Sequence, residues 1–367
     1  MIVLHVAPIN WQELGGLSVS IPALVASQNR LDGVEAALVV SVANPATPPE
    51  MVFPVFDQKI ALDRNRRLNL PAPFDRPDLV AFHSTYIPAH ARIAAALRKA
   101  AIPYVICPRG GMTRRAQRRR RWKKHLGNLL FFNKMVAHAA SLHCLTTGEA
   151  EQLGRWNRPV FIVGNGVRVP DRPASDHAGV ARPLTLLFIG RLAIRHKGLD
   201  TLLQACALVR FGMLQRGARI ELCGPDWRGN AARLSAMIAE LNLEDVVALR
   251  GPVVGDAKTT AFDRANAFIH TSRWEGHPMA VLEALAHGVP CLVTPETNVA
   301  DEIAAARAGW KVQRSAAGIA AGLAKILAAD HESLQRAGAN ARRLAFGQYD
   351  WGHIAARTVQ AYRRLAA

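Results

Sequence analysis

The sequence predicts an α/β fold made of mostly parallel sheets and divided into two domains. Three observations carry that expectation. Short apolar runs of strand length alternate with helical patterns along the chain. The alternation stops in a Pro- and Asp-bearing stretch, with Pro170, Pro173, Asp176, Gly179 and Pro183, and then restarts. A chain of 367 residues is long enough for two cores.

Taken in order, Ile2–Ala7 is a hydrophobic strand followed by Gly15-Gly16 and a helix from Ile21 to Asn29. Strand, glycine pair and helix is how α/β proteins bring backbone close to a ligand, and it is also a plain tight turn. Strands follow at Glu35–Val42, Pro77–Phe82 and Pro103–Cys107, with a Pro-rich loop at Pro45, Pro48, Pro49 and Pro54 and a helix at Ala89–Ala100. His83 and Arg109 stand at strand C-terminal ends, where open sheets bind ligands; a structural role for a lone strand-end histidine competes with that reading. Ala140–Thr146, a helix over Gly148–Leu153, and strand Val160–Val163 with Gly164-Asn165-Gly166-Val167 close the first domain, residues 1–170.

After a linker at 171–183, strands are expected at Leu184–Ile189, Ile220–Cys223, Val246–Leu249, Ala267–His270 and Pro290–Thr294. Helices are expected at Thr201–Arg210, Ala232–Leu241, Ala261–Ala265, Ala300–Ala306, Ala316–Ala328 and Leu334–Phe346, making a second domain of 184–345. A last helix runs through Ala367. Arg191 at a strand end and Lys197 just before a helix can both reach a diphosphate.

Composition bounds the function. Half the residues are hydrophobic, so the chain is globular. The first residues read as a strand and not as a leader, and no apolar run reaches bilayer length. Five separated cysteines argue against a zinc site or a disulfide framework and favour a reducing, cytoplasmic compartment. The formal net charge of +18 calls for an anionic partner. Its densest source is Arg114–Lys124, which contains Trp122 and leads into Leu126, Leu129, Leu130 and Phe131. A basic run leading into apolar helix reads as attraction to an anionic membrane surface. A polyanionic acceptor, nucleic acid and a merely solvated face are the competing readings.

The stretch from Trp274 to Glu283 concentrates the chemistry. Glu275 and Glu283 flank Gly276, His277 and Pro278. Pro278 suits a first helical position, and Gly288 suits a helix end. Amides of Gly276, His277, Met279 and Ala280 would face a phosphate at the helix N-terminus. Two acids beside an anion site make sense if the ligand also carries hydroxyls. The alternative is a capping Glu275 and a surface Glu283.

These residues resemble the retaining nucleotide-sugar glycosyltransferases numbered family four, of GT-B architecture. The most specific match is Glu275-Gly276-His277-Pro278 through Glu283-Ala284, with Gly288-Val289-Pro290 after it. Phe188–Leu192 with His196-Lys197-Gly198-Leu199 is the second. Weaker matches are Gly15-Gly16, the region of Thr147 and Glu149, Gly164–Val167 and the aromatic pair before the last helix. The resemblance implies two Rossmann-like domains facing across a cleft, with residues 346–367 crossing back to the first. It implies that Arg191 and Lys197 hold the donor diphosphate and stabilise its departure, and that Glu283 binds the ribose. Glu275 would lie near the transferred sugar, with Gly276, His277, Pro278, Met279 and Ala280 lining the donor, while Gly16 admits the diphosphate. Backbone near Arg250-Gly251-Pro252 would read the base. A glycan or lipid-linked acceptor would enter from the first domain, where His83 and Arg109 lie.

The main catalytic task is then stabilising negative charge on a leaving nucleoside diphosphate. The chain has no Asp-x-Asp triplet, so two cations and a helix N-terminus would replace a metal, and no cofactor is expected. Retention would proceed by same-face attack, the leaving phosphate helping to deprotonate the acceptor; double displacement through Glu275 is the other route. Two positions depart from the family pattern. His277 stands where Phe or Tyr is frequent, and Arg109 stands where many members carry His. Arginine stays charged and cannot act as a base, so no catalytic-histidine role transfers to it; a phosphate contact fits it better. The expected setting is cell-surface polysaccharide or glycolipid synthesis, peripheral at the inner face of the membrane. The competing functions are a sugar-nucleotide epimerase of the same fold and a non-enzymatic polyanion binder; nucleic acid is the less favoured partner.

Overall fold

The computed structural model describes residues 1–12, 16–42, 50–118, 121–154, 156–171 and 183–366. Gly15, Arg119, Arg120, the prolines at 45, 48 and 49, and the expected linker apart from Asp171 and Pro183 lie outside them. The chain forms two compact units, Met1–Gly166 with Trp351–Ala367, and Val167–Asp350. The boundaries expected at 170 and 346 therefore move to 166 and 351. Val167 is already part of the second unit, because it pairs in parallel with Asp350 and donates to the Tyr349 carbonyl at 2.7 Å.

Among the described residues the first unit holds a parallel sheet of β1 (Ile2–Ala7), β2 (Glu35–Val40), β3 (Val55–Phe56), β4 (Leu79–His83), β5 (Tyr104–Cys107), β6 (Ser141–Cys144) and β7 (Val160–Ile162). Their spatial order is β3-β2-β1-β4-β5-β6-β7. Both faces are covered, as strand periodicity requires of an apolar run. Leu4 and Val6 of β1 enter one core with Phe82 and Tyr104. Val3 and Ala7 enter the other with Ile21, Val25 and Tyr362. Tyr362 belongs to the last helix, Trp351–Ala366, which packs on the helix Gly16–Gln28. Gly166 makes room for that return: a Cβ there would stand 2.4 Å from the Trp351 ring.

The second unit repeats the scheme with β8 (Thr185–Ile189), β9 (Arg219–Cys223), β10 (Val247–Arg250), β11 (Ala267–His270), β12 (Cys291–Val293) and β13 (Gly309–Lys311), in the order β10-β9-β8-β11-β12-β13. Leu186 and Phe188 face one core and Leu187 and Ile189 the other. In each unit the strand order reverses beside the first strand, between β1 and β4 and between β8 and β11. Those are the points where a crevice opens at the strands' C-terminal ends.

Several elements differ from the sequence reading. The helix at Gly16–Gln28 begins before Ile21 and contains Pro22; Pro22 stands in its interior, where the missing N–H costs the helix one hydrogen bond. The helix at Gly255–Arg264 is longer than Ala261–Ala265, and the short edge strands β3 and β13 were not expected. The basic run forms short helices, Arg114–Arg118 and Arg121–Gly127, followed by a π turn at Asn128–Phe132 and a helix at Asn133–Ala137.

Candidate active site

The reversal point of the second unit is built by two loops, one after β8 and one after β11. Glycines let them close. A Cβ on Gly224 would stand 1.9 Å from the Gly190 carbonyl, and one on Gly190 would stand 3.1 Å from the Phe188 ring. Gly198 has φ 67° and ends the short helix Ile194–Lys197 while starting Leu199–Gln215; a Cβ there would stand 2.2 Å from the Thr271 carbonyl. The Arg273 guanidinium then clamps Asp200 with two parallel bonds of 2.8 and 2.9 Å, and the Arg273 amide donates to the His196 carbonyl at 2.9 Å. The His196 ring stacks on Trp274 at 4.5 Å and donates Nε2–H to the Trp274 carbonyl.

This clamp delivers Lys197 to Glu275. Nζ donates to Oε1 at 2.6 Å, joined by Ser272 Oγ at 2.7 Å and His270 Nε2 at 3.2 Å. All three donors converge on one carboxylate oxygen. Oε2 has no hydrogen-bond partner among the described residues and is not one of the buried orphan oxygens, so it remains open to a ligand. Burial pushes the Glu275 carboxyl up, but the Lys197 charge, the His270 hydrogen bond and the charges of His270 and His196 outweigh it and hold the group well below the usual range. Burial moves His270 and His196 down. Asn298, with φ 63°, fixes the turn by donating to the carbonyls of Glu275 and Gly276 at 2.7 and 3.1 Å.

The helix after it covers Met279–Ala286, so Pro278 is its cap and not its first residue: its ψ of 105° is extended, while its carbonyl accepts from Val281 at 3.0 Å. Glu275 provides no cap. Met279 and Ala280 carry the first amides of the helix, which intrahelical bonding leaves over. The His277 side chain turns inward and meets the edge of Tyr349 at 5.6 Å. Glu283 pairs with Lys258 through Oε1 at 2.6 Å, and its Oε2 is a buried acceptor with no donor. Arg191 is exposed and lies over the Trp227 ring at 4.4 Å. Sequence reasoning missed Lys258, His270, Ser272, Asp200 with Arg273, and Trp227; Lys258, Asp200 and Trp227 meet their partners through topology, whereas Ser272 and His270 stand three and five residues before Glu275.

In the first unit, Gly16 is exposed with open space where a Cβ would stand. His83 is not an open strand-end residue: it is fully buried and bonded to His5. Arg109 follows β5, half-buried, and donates to His83, Ser20 and Asn165. Asn165 explains the Gly164-Asn165-Gly166 motif. Glu149 accepts from the amides of Gly110 and Leu145 with its two oxygens, which ties the loop after β5 to that after β6. Among the described residues no group of three His, Cys, Asp or Glu side chains is arranged for a metal ion, and no helix is long and apolar enough to cross a membrane.

The family described as Glycosyl transferases group 1 matches residues 175–344, and the Glycosyl transferase 4-like domain matches residues 15–166. WcaL of Salmonella typhimurium, named as a glycosyltransferase of colanic acid biosynthesis, is 30% identical over 160 residues, 42% of this chain and 38% of that one. The GDP-mannose:cellobiosyl-diphosphopolyprenol alpha-mannosyltransferase of Xanthomonas campestris is 28% identical over 205 residues, 55% and 52% of the two chains. The chain thus spans about half or less of the length of these curated relatives. HepE of Anabaena, solved with UDP and glucose, superposes with a TM-score of 0.70 at 16% identity, over 99% of this chain and 100% of that one.

Proposed function

The chain belongs to the family-four glycosyltransferases of GT-B fold, and from that premise we propose that it moves a sugar, with retention, from a nucleoside-diphosphate sugar to a glycan or lipid-linked acceptor. The observation that carries the reading is Glu275: one oxygen is saturated by Lys197, Ser272 and His270, and the other is left open. An ionised carboxylate with a fixed, outward lone pair suits a sugar hydroxyl. Glu283 Oε2, by contrast, is buried without a donor, an unmet acceptor that a ribose hydroxyl would satisfy.

Lys197 gives one of its three N–H donors to Glu275 and keeps two for a diphosphate. With Arg191 and the first amides of Met279–Ala286 it meets the charge that builds as the sugar C1–O bond breaks. The acceptor hydroxyl forms the new C1–O bond on the same face, and its proton passes to the departing phosphate oxygen. Fixed cations serve where a metal otherwise would, so activity persists in chelator.

The donor reading draws on HepE, solved with UDP and glucose, and on the relative named for GDP-mannose and a diphosphopolyprenol acceptor. The first unit meets an anionic membrane surface through exposed Trp122, Leu126, Leu129, Leu130 and Phe131, flanked by exposed Arg114, Arg115 and Arg118. The setting is polysaccharide or glycolipid synthesis at the inner membrane face.

The test is a thermal-shift panel of UDP- and GDP-sugars with the matching nucleoside diphosphates. Binding raises Tm with the logarithm of ligand over Kd. A shift that shrinks in Glu283→Gln supports the reading, and the absence of a shift with every nucleotide sinks it.

A further inference from the structure

The reversal point of the first unit contains a hydrogen-bond chain whose direction is set by one residue. Arg109 donates through Nε to His83 Nδ1 at 3.4 Å, with Nη2 at the same distance. Arginine can only donate, so His83 Nδ1 must accept and its proton sits on Nε2. That Nε2 lies 2.8 Å from His5 Nδ1, which must therefore accept; His5 Nε2–H then donates to Gln28 Oε1 at 2.7 Å. The chain ends there, with Gln28 Nε2 as a buried donor lacking a partner. His5, His83 and Gln28 are fully buried. His143 stands beside them and is fixed independently, donating Nε2–H to the Val163 carbonyl at 2.8 Å.

Nη1 of Arg109 donates to Ser20 Oγ at 3.2 Å and Asn165 Oδ1 at 3.1 Å. Every one of these partners is neutral. Among the described residues Arg109 has no ion pair, and Glu149 uses both oxygens on backbone amides. The surrounding backbone is strained at two neighbouring strand ends: Ser84 and Tyr86 after β4 have φ 75° and 62°, and Arg109 after β5 has φ 49°. Such residues persist only where the surroundings hold them, and they gather at binding sites. Here the holding is visible, because a Cβ on Gly111 would stand 2.1 Å from Thr85 Oγ1. Arg109 is thus a half-buried cation with no counter-ion among the described residues, and neutral acceptors hold four of its five N–H groups and leave one for an anion.

We infer that Arg109 receives a phosphate group of the acceptor, and that Gln28, His5 and His83 are the positioning residues that hold its guanidinium for it. This rests on the glycosyltransferase reading for the identity of the ligand, though not for the presence of the anion site. Burial and the Arg109 charge together keep the His83 ring neutral, which preserves its acceptor nitrogen.

The experiment uses the full chain labelled with 15N-histidine. Long-range 1H–15N spectra are expected to show His5 and His83 as neutral Nε2–H tautomers. Inorganic phosphate should move the His83 Nδ1 resonance saturably, and Arg109→Met should abolish the movement. His83→Gln can still accept from Arg109 and donate to His5. Read on His5, it should keep phosphate affinity within about threefold, whereas His83→Leu should weaken it at least about tenfold. An Nδ1–H tautomer at His83, or equal losses in the Gln and Leu variants, would overturn the positioning chain. Repeating the titration with saturating UDP or GDP, whichever raises Tm, separates the sources of phosphate. A phosphate response that survives nucleotide supports an acceptor site, and one that nucleotide replaces assigns the phosphate to the donor and overturns it. If neither nucleotide binds while phosphate still moves His83, the enzymatic reading fails and the receptor stands.

Discussion

Lys197 Nζ lies 2.6 Å from Glu275 Oε1, and each side chain is only 12% exposed. The cation and the acid that sequence motifs assign to different parts of a ligand are thus one buried pair before any ligand arrives. Removing one partner strands the other charge. Lys197→Met should lower unfolding free energy by about 3–5 kcal/mol and reduce kcat by about 10²–10³-fold. Lys197→Met with Glu275→Gln should recover most of the stability and none of the rate. Denaturant titration of the four proteins in the cycle reads the coupling, and additive losses would show that the pair is not coupled.

Glu283→Gln keeps the shape of the side chain and removes its charge. We expect nucleoside diphosphate binding to weaken by about 10–100-fold, measured by calorimetry. Tm without ligand should fall little, because Lys258, its partner, is about one-third exposed. Unchanged affinity would take the ribose away from Glu283.

Gly198→Ala places a Cβ 2.2 Å from the Thr271 carbonyl at a φ of 67°. A loss on the order of 2–3 kcal/mol is expected. Nucleotide binding should fall with it, since Thr271 precedes the Ser272 that bonds Glu275. Circular dichroism melts with and without nucleotide check both.

Acid should unfold the protein in a defined window. Burial lowers His5 to about 4 and His90 and His143 to about 3, from an ordinary 6.5. The unfolded chain takes up these protons first. The stability they contribute is complete above pH 6.5 and is lost as pH falls towards 4 and then 3. Each histidine steepens the fall by about 1.4 kcal/mol per pH unit. The depressed Glu275 carboxyl acts in the same direction at lower pH. Tm should be flat near neutrality and drop below pH 6.5; His90→Gln should reduce the slope.

Vesicles of phosphatidylglycerol should sediment the protein, and phosphatidylcholine vesicles should not. Neutralising Arg118–Arg121 should weaken binding by about 10²–10³-fold, at about 1 kcal/mol per residue near the surface. Trp122→Ala should weaken it without changing its salt dependence. Equal binding to both lipids would remove the membrane reading.

The fold was largely legible because its strands are buried on both faces. Ile2–Ala7 and Ala267–His270 were read with their observed limits, since continuous apolar runs announce such strands. Val55–Phe56 is too short to show a period, and Gly309–Lys311 begins on a glycine whose place is set by contact with Cys291. The helix Gly255–Arg264 buries only Phe262, which leaves little apolar pattern to find. At the site, Arg191, Lys197, Glu275 and Glu283 could be named from motifs. The contacts that hold them could not: Asp200 meets Arg273 across 73 residues and Lys258 meets Glu283 across 25, through tertiary packing. The position of His83 at a strand end was readable, but its burial against His5 depends on β1 and β4 being neighbours.

The parallel bridge between Val167 and Asp350 has a consequence for how the molecule is partitioned. The second unit is a cassette whose two ends are stitched to each other by its own backbone, with Arg342 reaching the Pro170 carbonyl as a further tie. Cut free at 167 and 350, it keeps its termini side by side. A short peptide could therefore close it into a ring, whose nucleotide binding can be assayed apart from the first unit.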